Sequence, residues 1–183
     1  MKEIILLKML KFFLKNPYKE VYLRELAKAL KISPFASKKY IDMLTKESII
    51  IEERKANLRY LHANINNLFF KYLKITYSIN LMLKSSLVEY LKENIPNISS
   101  IVLFGSAAKG EDTEDSDIDL VVIGKEIYPN LKKIENILSK TINLHIFTWN
   151  EWNKKAKQDK AFYIEVISYG IALFGELPLI EWK

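Results

Sequence analysis

The chain has 183 residues, of which 49% are hydrophobic and 27% charged, and it contains no cysteine. This composition is typical of a folded chain with one large or two small domains, and the lack of cysteine excludes disulfides and a thiolate zinc site. No segment is long enough to span a membrane, and residues 1–15 mix lysines with apolar residues and lack a cleavage site, so we expect a cytoplasmic protein without membrane contact.

Charge is divided unevenly along the chain. Residues 1–98 hold 18 Lys and Arg against 9 Asp and Glu, a net charge of +9. Residues 99–183 hold 10 against 13, a net charge of −3, and the two halves together give the +6 of the whole chain. A basic half suggests a polyanionic partner such as nucleic acid, although charge alone is weak evidence.

The first 65 residues predict three helices followed by a hairpin. In chain order, the pattern predicts helices over 4–15, 22–30 and 33–46 and strands over 49–54 and 58–63, with residues 55–57 as the turn. Ser33 and Pro34 begin the third helix, because serine can cap free N–H groups and proline suits the first helical position. The first helix has an apolar stripe at helical spacing, formed by Ile4, Leu7, Leu10 and Leu14.

This order of elements resembles the winged helix-turn-helix domains of bacterial and archaeal transcriptional regulators, with Ser48 in place of their usual glycine. The resemblance implies that the third helix enters the major groove of DNA and that the hairpin contacts phosphates. The expected DNA-binding residues are Lys38 and Lys39 on the helix and Arg54, Lys55 and Arg59 on the hairpin. The alternative is a structural or dimerising winged helix with a solvated lysine face.

A long helical stretch over 64–94 follows, with a candidate break at Ser85 and Ser86. Four apolar side chains of its first part are expected to face inward: Leu68, Phe69, Tyr72 and Leu73. The aromatic residues at helical spacing are expected to be core or dimer contacts, with a base-stacking platform as the alternative: Phe69, Phe70, Tyr72 and Tyr77. Beyond it the pattern predicts strands over 99–104, 117–123 and 142–148 and helical structure over 128–140 and 149–172.

The segment 101–123 carries the strongest chemical signal of the chain. Gly105 and Ser106 end one predicted strand, and Asp117 and Asp119 lie on the next. Since side chains alternate along a strand, both carboxylates point the same way, about 7 Å apart, and Ile118, Leu120 and Val122 point into a core. Such a pair suits Mg²⁺, and a glycine turn can present N–H groups to a phosphate. Most of the remaining acids of the connection are expected to be solvated and to raise the local negative potential for a metal: Glu111, Asp112, Glu114 and Asp115.

Gly-Ser, ten intervening residues and Asp-x-Asp make this segment similar to the nucleotidyltransferases of the DNA polymerase beta superfamily, in particular the minimal nucleotidyltransferases. The resemblance covers about residues 85–175. It implies transfer of a nucleoside monophosphate from an NTP, with ATP preferred, to a hydroxyl group, with Mg²⁺ or Mn²⁺. It assigns Gly105 and Ser106 to the binding of the nucleotide. Lys109 could contact the triphosphate of the nucleotide, and an exposed lysine without a role in binding is the equal alternative. Asp117 and Asp119 are the implied metal-binding and catalytic residues.

The third predicted strand departs from the pattern of this family. Its members carry a third aspartate where this chain has Asn143, which can offer an oxygen to a metal but cannot act as a base. The enzyme could act slowly on an undemanding acceptor, another group such as His145 or Glu165 could substitute, or the site could bind nucleotide without turnover. His145 shares the face of Asn143 and could act as a base near neutral pH, with a half-buried structural histidine as the alternative.

These observations predict an α+β protein with three parts: a winged helix-turn-helix domain at 1–65, a helical linker at 66–95, and a nucleotidyltransferase-like domain at 96–183 with a small mixed β-sheet flanked by helices. The favoured function is transfer of a nucleoside monophosphate to a protein or nucleic-acid hydroxyl. The alternative is a transcriptional regulator whose degenerate transferase domain senses nucleotide. Expected partners are DNA, a protein acceptor such as a partner toxin, and a second copy of the chain.

Overall fold

The computed structural model of the chain describes residues 4–55 and 58–181, and the chain divides into two compact units, residues 1–74 and 75–183. None of the helices within the described ranges has both the length and the apolar character that crossing a membrane requires. Residues 56 and 57 of the predicted hairpin turn lie outside the described residues.

The first unit combines three helices with a three-stranded antiparallel sheet. Its elements are α1 (Ile5–Lys15), β1 (Val21–Tyr22), α2 (Leu23–Leu30), α3 (Pro34–Lys46), β2 (Ile50–Lys55) and β3 (Leu58–Ala63). The strand order is β1-β3-β2, with Val21 opposite Leu61 and Ile50 opposite Ala63. The predicted helices and hairpin strands are confirmed, whereas the two-residue strand β1 was not predicted.

Local chemistry sets the ends of α3. The Ser33 hydroxyl accepts a hydrogen bond of 3.2 Å from the N–H of Ala36, and Pro34 occupies the first turn, as the sequence predicts. After the helix, Ser48 has a φ of 56°, in the left-handed region that glycine adopts most easily. The backbone at this position therefore has the conformation for which a glycine would be the ordinary residue.

Two predicted apolar faces are only partly confirmed. Leu14 of α1 is buried as predicted, together with Met9 and Phe13, but Leu7 and Ile4, which precedes the helix, are 45% and 62% exposed. At the start of α4 (Leu68–Lys84), Phe70 is fully buried as predicted, whereas three side chains predicted to face inward are exposed: Leu68, Phe69 and Tyr72. Both segments are apolar on more than one side, so the neighbouring elements decide which side is buried.

The second unit is built on a four-stranded mixed sheet. After α4, which crosses the division between the units, its elements are α5 (Leu87–Asn94), β4 (Ser100–Phe104), α6 (Gly105–Lys109), β5 (Ile118–Ile123), α7 (Lys132–Leu138), β6 (Ile142–Phe147), α8 (Trp149–Gln158), α9 (Lys160–Tyr169) and β7 (Ile171–Gly175). The strand order is β6-β5-β4-β7, with β5 and β6 parallel and the other pairs antiparallel. This confirms the α+β class, the mixed sheet flanked by helices, and the helix break at Ser85 and Ser86.

Both faces of the sheet are covered. Ile118, Leu120 and Val122 lie in one core with α5, α6 and α7, as predicted. The opposite face was not predicted to be buried, yet Val121 and Ile123 pack there against α8 and α9. These are two helices and not the single helix predicted over 149–172, because the Asp159 side chain accepts a hydrogen bond of 3.1 Å from the N–H of Phe162 and begins α9. Asp119, at the start of β5 on this second face, is only half-buried.

Candidate functional site

The turn from β4 into α6 lies directly against a carboxylate. Gly105 has a φ of 70°, and a Cβ built at this position would lie 2.4 Å from Oδ2 of Asp119. Real Cβ atoms do not approach an oxygen so closely, so any side chain here would push Asp119 away in addition to the strain of a positive φ. Glycine therefore allows the carboxylate to lie against the first residues of α6, where Ser106 is half-buried.

The β5–β6 pairing brings the second carboxylate and the amide to the same place. Asp119 lies opposite Phe104 on β4 and opposite Asn143 on β6, and Asp117 directly precedes β5. Nδ2 of Asn143 donates to Oδ1 of Asp119 at 3.0 Å and to Oδ2 of Asp117 at 3.3 Å. The structure thus places four of the predicted residues together: Gly105, Asp117, Asp119 and Asn143.

The donor set of this cluster is two carboxylates and one neutral amide. Among the described residues, no group of three or more His, Cys, Asp and Glu side chains could hold a metal ion. The two carboxylates nevertheless converge on a single atom, Nδ2 of Asn143, within 3.3 Å. One or two carboxylates with retained water are a common ligand set for Mg²⁺, and Asn143 could add its amide oxygen by rotating. The residues therefore fit a hard divalent cation, with one negative charge fewer than three carboxylates would give.

His145 lies two residues after Asn143 on β6 and points into an aromatic cluster. Its ring centroid is 5.8 Å from that of Phe104 and 5.7 Å from that of Phe162. The side chain is exposed and lines an open pocket of about 340 Å³, together with Tyr128 and with residues of α8 such as Lys154. It shares the face of Asn143, but the contacts that the structure gives it are with aromatic rings and not with the two carboxylates.

Lys109, the last residue of α6, is held by α9. Its Nζ lies 2.5 Å from Oε1 of Glu165 and 4.8 Å from the ring centroid of Tyr169. The hydrogen bond to Glu165 raises the pKa of Lys109, against the opposing effect of burial. Lys109 therefore pairs with Glu165, the residue that the sequence offered as a substitute base.

One acid of the connection before β5 is not solvated. Most of the loop acids were expected to be solvated, but Asp112 is only 2% exposed. Its carboxylate lies 3.6 Å from Nζ of Lys140, which also donates to backbone oxygens of the same loop. No sequence signal points to Lys140, because it lies 28 residues away from Asp112 and neither residue stands in a motif.

The predicted DNA-binding residues fall in the first unit and divide into two groups. Lys38 and Lys39 are exposed on α3. The other three contact carboxylates: Arg54 lies 3.7 Å from Glu52, Lys55 lies 2.5 Å from Glu20, and Arg59 lies 2.9 Å from Asp42 and also pairs with Glu52. Hydrogen bonds to Glu52 and Asp42 raise the pKa of Arg59, and the one to Glu20 raises the pKa of Lys55.

Part of the chain matches a known protein family. Residues 84–173 match the model of the nucleotidyltransferase domain family, which confirms the predicted similarity to nucleotidyltransferases for these residues. No curated protein matches significantly. Among solved structures the chain is similar to two mutants of the toxin–antitoxin MntA-HpeT, at 25% and 23% identity, covering 51% and 50% of this chain and 72% of each of those chains, with TM-scores of 0.37 and 0.39. It is similar to a toxin–antitoxin with AMP-PNP at 24% identity, covering 54% of this chain and 73% of that one, with a TM-score of 0.38.

Proposed function

We propose that the nucleotidyltransferase domain at residues 84–173 transfers a nucleoside monophosphate from an NTP, with ATP preferred, to a hydroxyl group on a protein or nucleic acid. The observation that carries this proposal is the approach of the Asp119 carboxylate to Gly105, 2.4 Å from where a Cβ would lie. It joins the two halves of the motif, a turn suited to phosphate and a carboxylate pair suited to a cation, in one site.

The proposed reaction assigns roles to the turn, to the two carboxylates and to a base. The first N–H groups of α6, at Gly105 and Ser106, would bind phosphate oxygens, since the first N–H groups of a helix have no partner within it. Asp117 and Asp119 would hold Mg²⁺ or Mn²⁺, which when bound neutralises phosphate charge and orients the donor. The acceptor oxygen bonds to the α-phosphorus, the bond to pyrophosphate breaks, and the hydroxyl proton passes to a base, for which His145 is the candidate on β6.

The second candidate function is nucleotide sensing without turnover, and Asn143 favours it. Its amide donates to both carboxylates, at 3.0 Å and 3.3 Å, in the place where a third carboxylate would strengthen the hold on a metal. An amide cannot accept the proton of the acceptor, and the site keeps one negative charge fewer. In this function the NTP binds, alters the affinity of the first unit for DNA, and is released unchanged.

For the first unit we propose a winged helix-turn-helix that binds DNA through α3. The element order α1-β1-α2-α3-β2-β3, the capped start of α3 and the exposed Lys38 and Lys39 support it. Arg54, Lys55 and Arg59 would contact phosphates only after leaving their carboxylate partners. The proposed division is a DNA-binding domain at 1–65, a helical linker at 66–95 and a transferase domain at 96–183, with the chain acting as a homodimer and a partner toxin as the protein acceptor.

The test uses the full chain, α-³²P-labelled NTPs, Mg²⁺ or Mn²⁺, and an extract of the source cells. We expect label on a protein or nucleic acid with the wild-type chain and none with Asp119→Ala, while Lys133→Met on the exposed side of α7 serves as a charge-changing control. Metal-dependent NTP binding without any transfer would reject the enzyme and favour the sensor. Absence of both binding and transfer would reject both functions of the site.

A further inference from the structure

The loop that leads to Asp117 is strongly acidic and carries no cation of its own. Residues 111–119 contain six acids, namely Glu111, Asp112, Glu114, Asp115, Asp117 and Asp119, and no Lys or Arg. Asp119 is fixed by the β5 ladder, but Asp117 is exposed and precedes the strand. Mutual repulsion of the loop carboxylates favours a spread conformation, so the position of Asp117 requires an external constraint.

Lys140 supplies a positive charge to this loop. Its Nζ donates to the backbone oxygen of Ser116 at 2.8 Å and to that of Thr113, and lies 3.6 Å from Oδ2 of Asp112. The Lys140 side chain is 12% exposed and that of Asp112 is 3% exposed, so these interactions are weakly screened by water. The ammonium group therefore joins both ends of the turn 113–116, whose last residue is the immediate neighbour of Asp117.

Further hydrogen bonds fix the conformation of residues 112–116. The Ser78 hydroxyl on α4 lies 3.3 Å from each carboxylate oxygen of Asp112. Within the turn, the Ser116 hydroxyl accepts from the N–H of Thr113 at 2.9 Å and lies 3.1 Å from the Thr113 hydroxyl. Because its carboxylate is buried and has these partners, Asp112 holds the start of the loop that leads to Asp117 in one position.

The backbone next to Lys140 holds the other side of Asp117. The oxygen of Thr141 accepts from the N–H of Ile118 at 2.9 Å, which begins the pairing of β5 with β6. The end of α7 fixes this segment in turn, since Glu135 accepts from the N–H of Ile142 at 2.9 Å. The adjacent residues Lys140 and Thr141 therefore bind the residues immediately before and after Asp117.

We propose that Lys140 is a positioning residue for the carboxylate site: its ammonium group joins Asp112, Thr113 and Ser116 into a clamp that sets the position of Asp117 relative to Asp119. Its role in metal binding rests on the proposed function, whereas its role in ordering the loop does not. Lys140 touches neither carboxylate of the pair, so it acts through the backbone of the loop.

The experiment compares full-length wild type with Lys140→Met, Lys140→Arg and the matched control Lys133→Met. Hydrogen exchange read by mass spectrometry measures the order of residues 112–118, and the electron paramagnetic resonance signal of free Mn²⁺ measures metal affinity. We expect Lys140→Met to accelerate exchange in the loop and to weaken Mn²⁺ binding about tenfold, the usual scale for a residue that orients a metal ligand. Lys140→Arg restores both values, and Lys133→Met changes neither.

A variant with a truncated core side chain, Leu91→Ala, controls for general loss of stability, and we expect it to lower the melting temperature without weakening Mn²⁺ binding. Unchanged loop exchange in Lys140→Met would overturn the proposal. Where wild type binds Mn²⁺ more tightly than Asp117→Ala/Asp119→Ala does, a Mn²⁺ affinity of Lys140→Met equal to that of wild type would overturn it too. If wild type and the double variant Asp117→Ala/Asp119→Ala bind Mn²⁺ equally, the metal site of the proposed function is rejected, and the exchange measurement alone still decides whether Lys140 orders the loop.

Discussion

The candidate functional residues are close together in the second unit and spread out in the first. In the second unit, residues of different kinds converge: the Asn143 amide donates to the carboxylates of Asp117 and Asp119, and Gly105, with a positive φ, lies against Asp119. In the first unit the predicted cations are spread over a helix and a hairpin, and three of the five contact carboxylates of their own unit: Arg54, Lys55 and Arg59. Convergence of unlike groups is thus stronger evidence of a site than an excess of one charge.

The largest expected effect comes from breaking the convergence at Gly105. Gly105→Ala introduces a Cβ at 2.4 Å from the Asp119 carboxylate, so we expect nucleotidyl transfer and Mn²⁺ binding to fall at least about 100-fold, because a displacement of about 1 Å at a reacting centre has effects of this size. Label transfer and the resonance signal of free Mn²⁺ measure the two losses.

Gly175→Ala is the matched control, because Gly175 also has a positive φ, of 68°, and its Cβ would lie 2.0 Å from the oxygen of Ser99, away from the carboxylates. We expect this variant to lose about 1 kcal/mol or more of stability and to keep its metal affinity. Equal loss of metal binding in both variants would show that strain in the fold, and not the approach to Asp119, explains the result.

The next largest effect is expected when a third carboxylate is introduced at residue 143. Asn143→Asp removes the amide donor shared by Asp117 and Asp119 and adds a negative charge, so the variant without metal should be less stable and should bind Mn²⁺ about tenfold more tightly. We expect its melting temperature to lie about 2–4 °C below that of wild type without metal, the equivalent of about 1 kcal/mol, and to recover with Mn²⁺. Asn153→Asp on α8 is the control, and unchanged Mn²⁺ affinity in Asn143→Asp would contradict the expectation.

The sequence predicts those parts of the site that depend on local geometry. Alternation along β5 and β6 places Asp117, Asp119 and Asn143 on one face, and a glycine at a strand end marks the close approach. The contacts of Lys140 and Arg59 could not be predicted, because their partners lie 24–28 and 7–17 residues away and meet them only through the tertiary fold. For the same reason the buried face of α1 was predicted only for Leu14. The helix is apolar on more than one side, and contacts with neighbouring elements decide that Met9 and Phe13 are buried as well.

A smaller effect separates cations that could bind DNA from those that hold the first unit together. We expect Lys38→Ala/Lys39→Ala to reduce the salt dependence of DNA binding by about one unit for each lost phosphate contact. Arg59→Ala should instead lower the free energy of unfolding by about 1 kcal/mol, because Arg59 donates to Glu52 and Asp42, and should leave the salt dependence unchanged. Fluorescence anisotropy at several salt concentrations and urea denaturation measure the two quantities. Salt-independent binding, or none, would reject the DNA-binding proposal.

The smallest effect distinguishes the acids that form the site from an acid that only caps the start of a helix. Glu151 accepts hydrogen bonds from the N–H and hydroxyl of Thr148 at the start of α8, and these bonds lower its pKa from the ordinary value of 4.5. A carboxylate with a lowered folded-state pKa contributes stability above its unfolded pKa and loses it as pH falls through the folded one. Between pH 6 and pH 3 the melting temperature of wild type should therefore fall more than that of Glu151→Gln, which keeps the capping geometry without the charge. The curves should converge at low pH. Mn²⁺ affinity at pH 6 should be the same in both chains, because Glu151 stabilises α8 and takes no part in the carboxylate cluster.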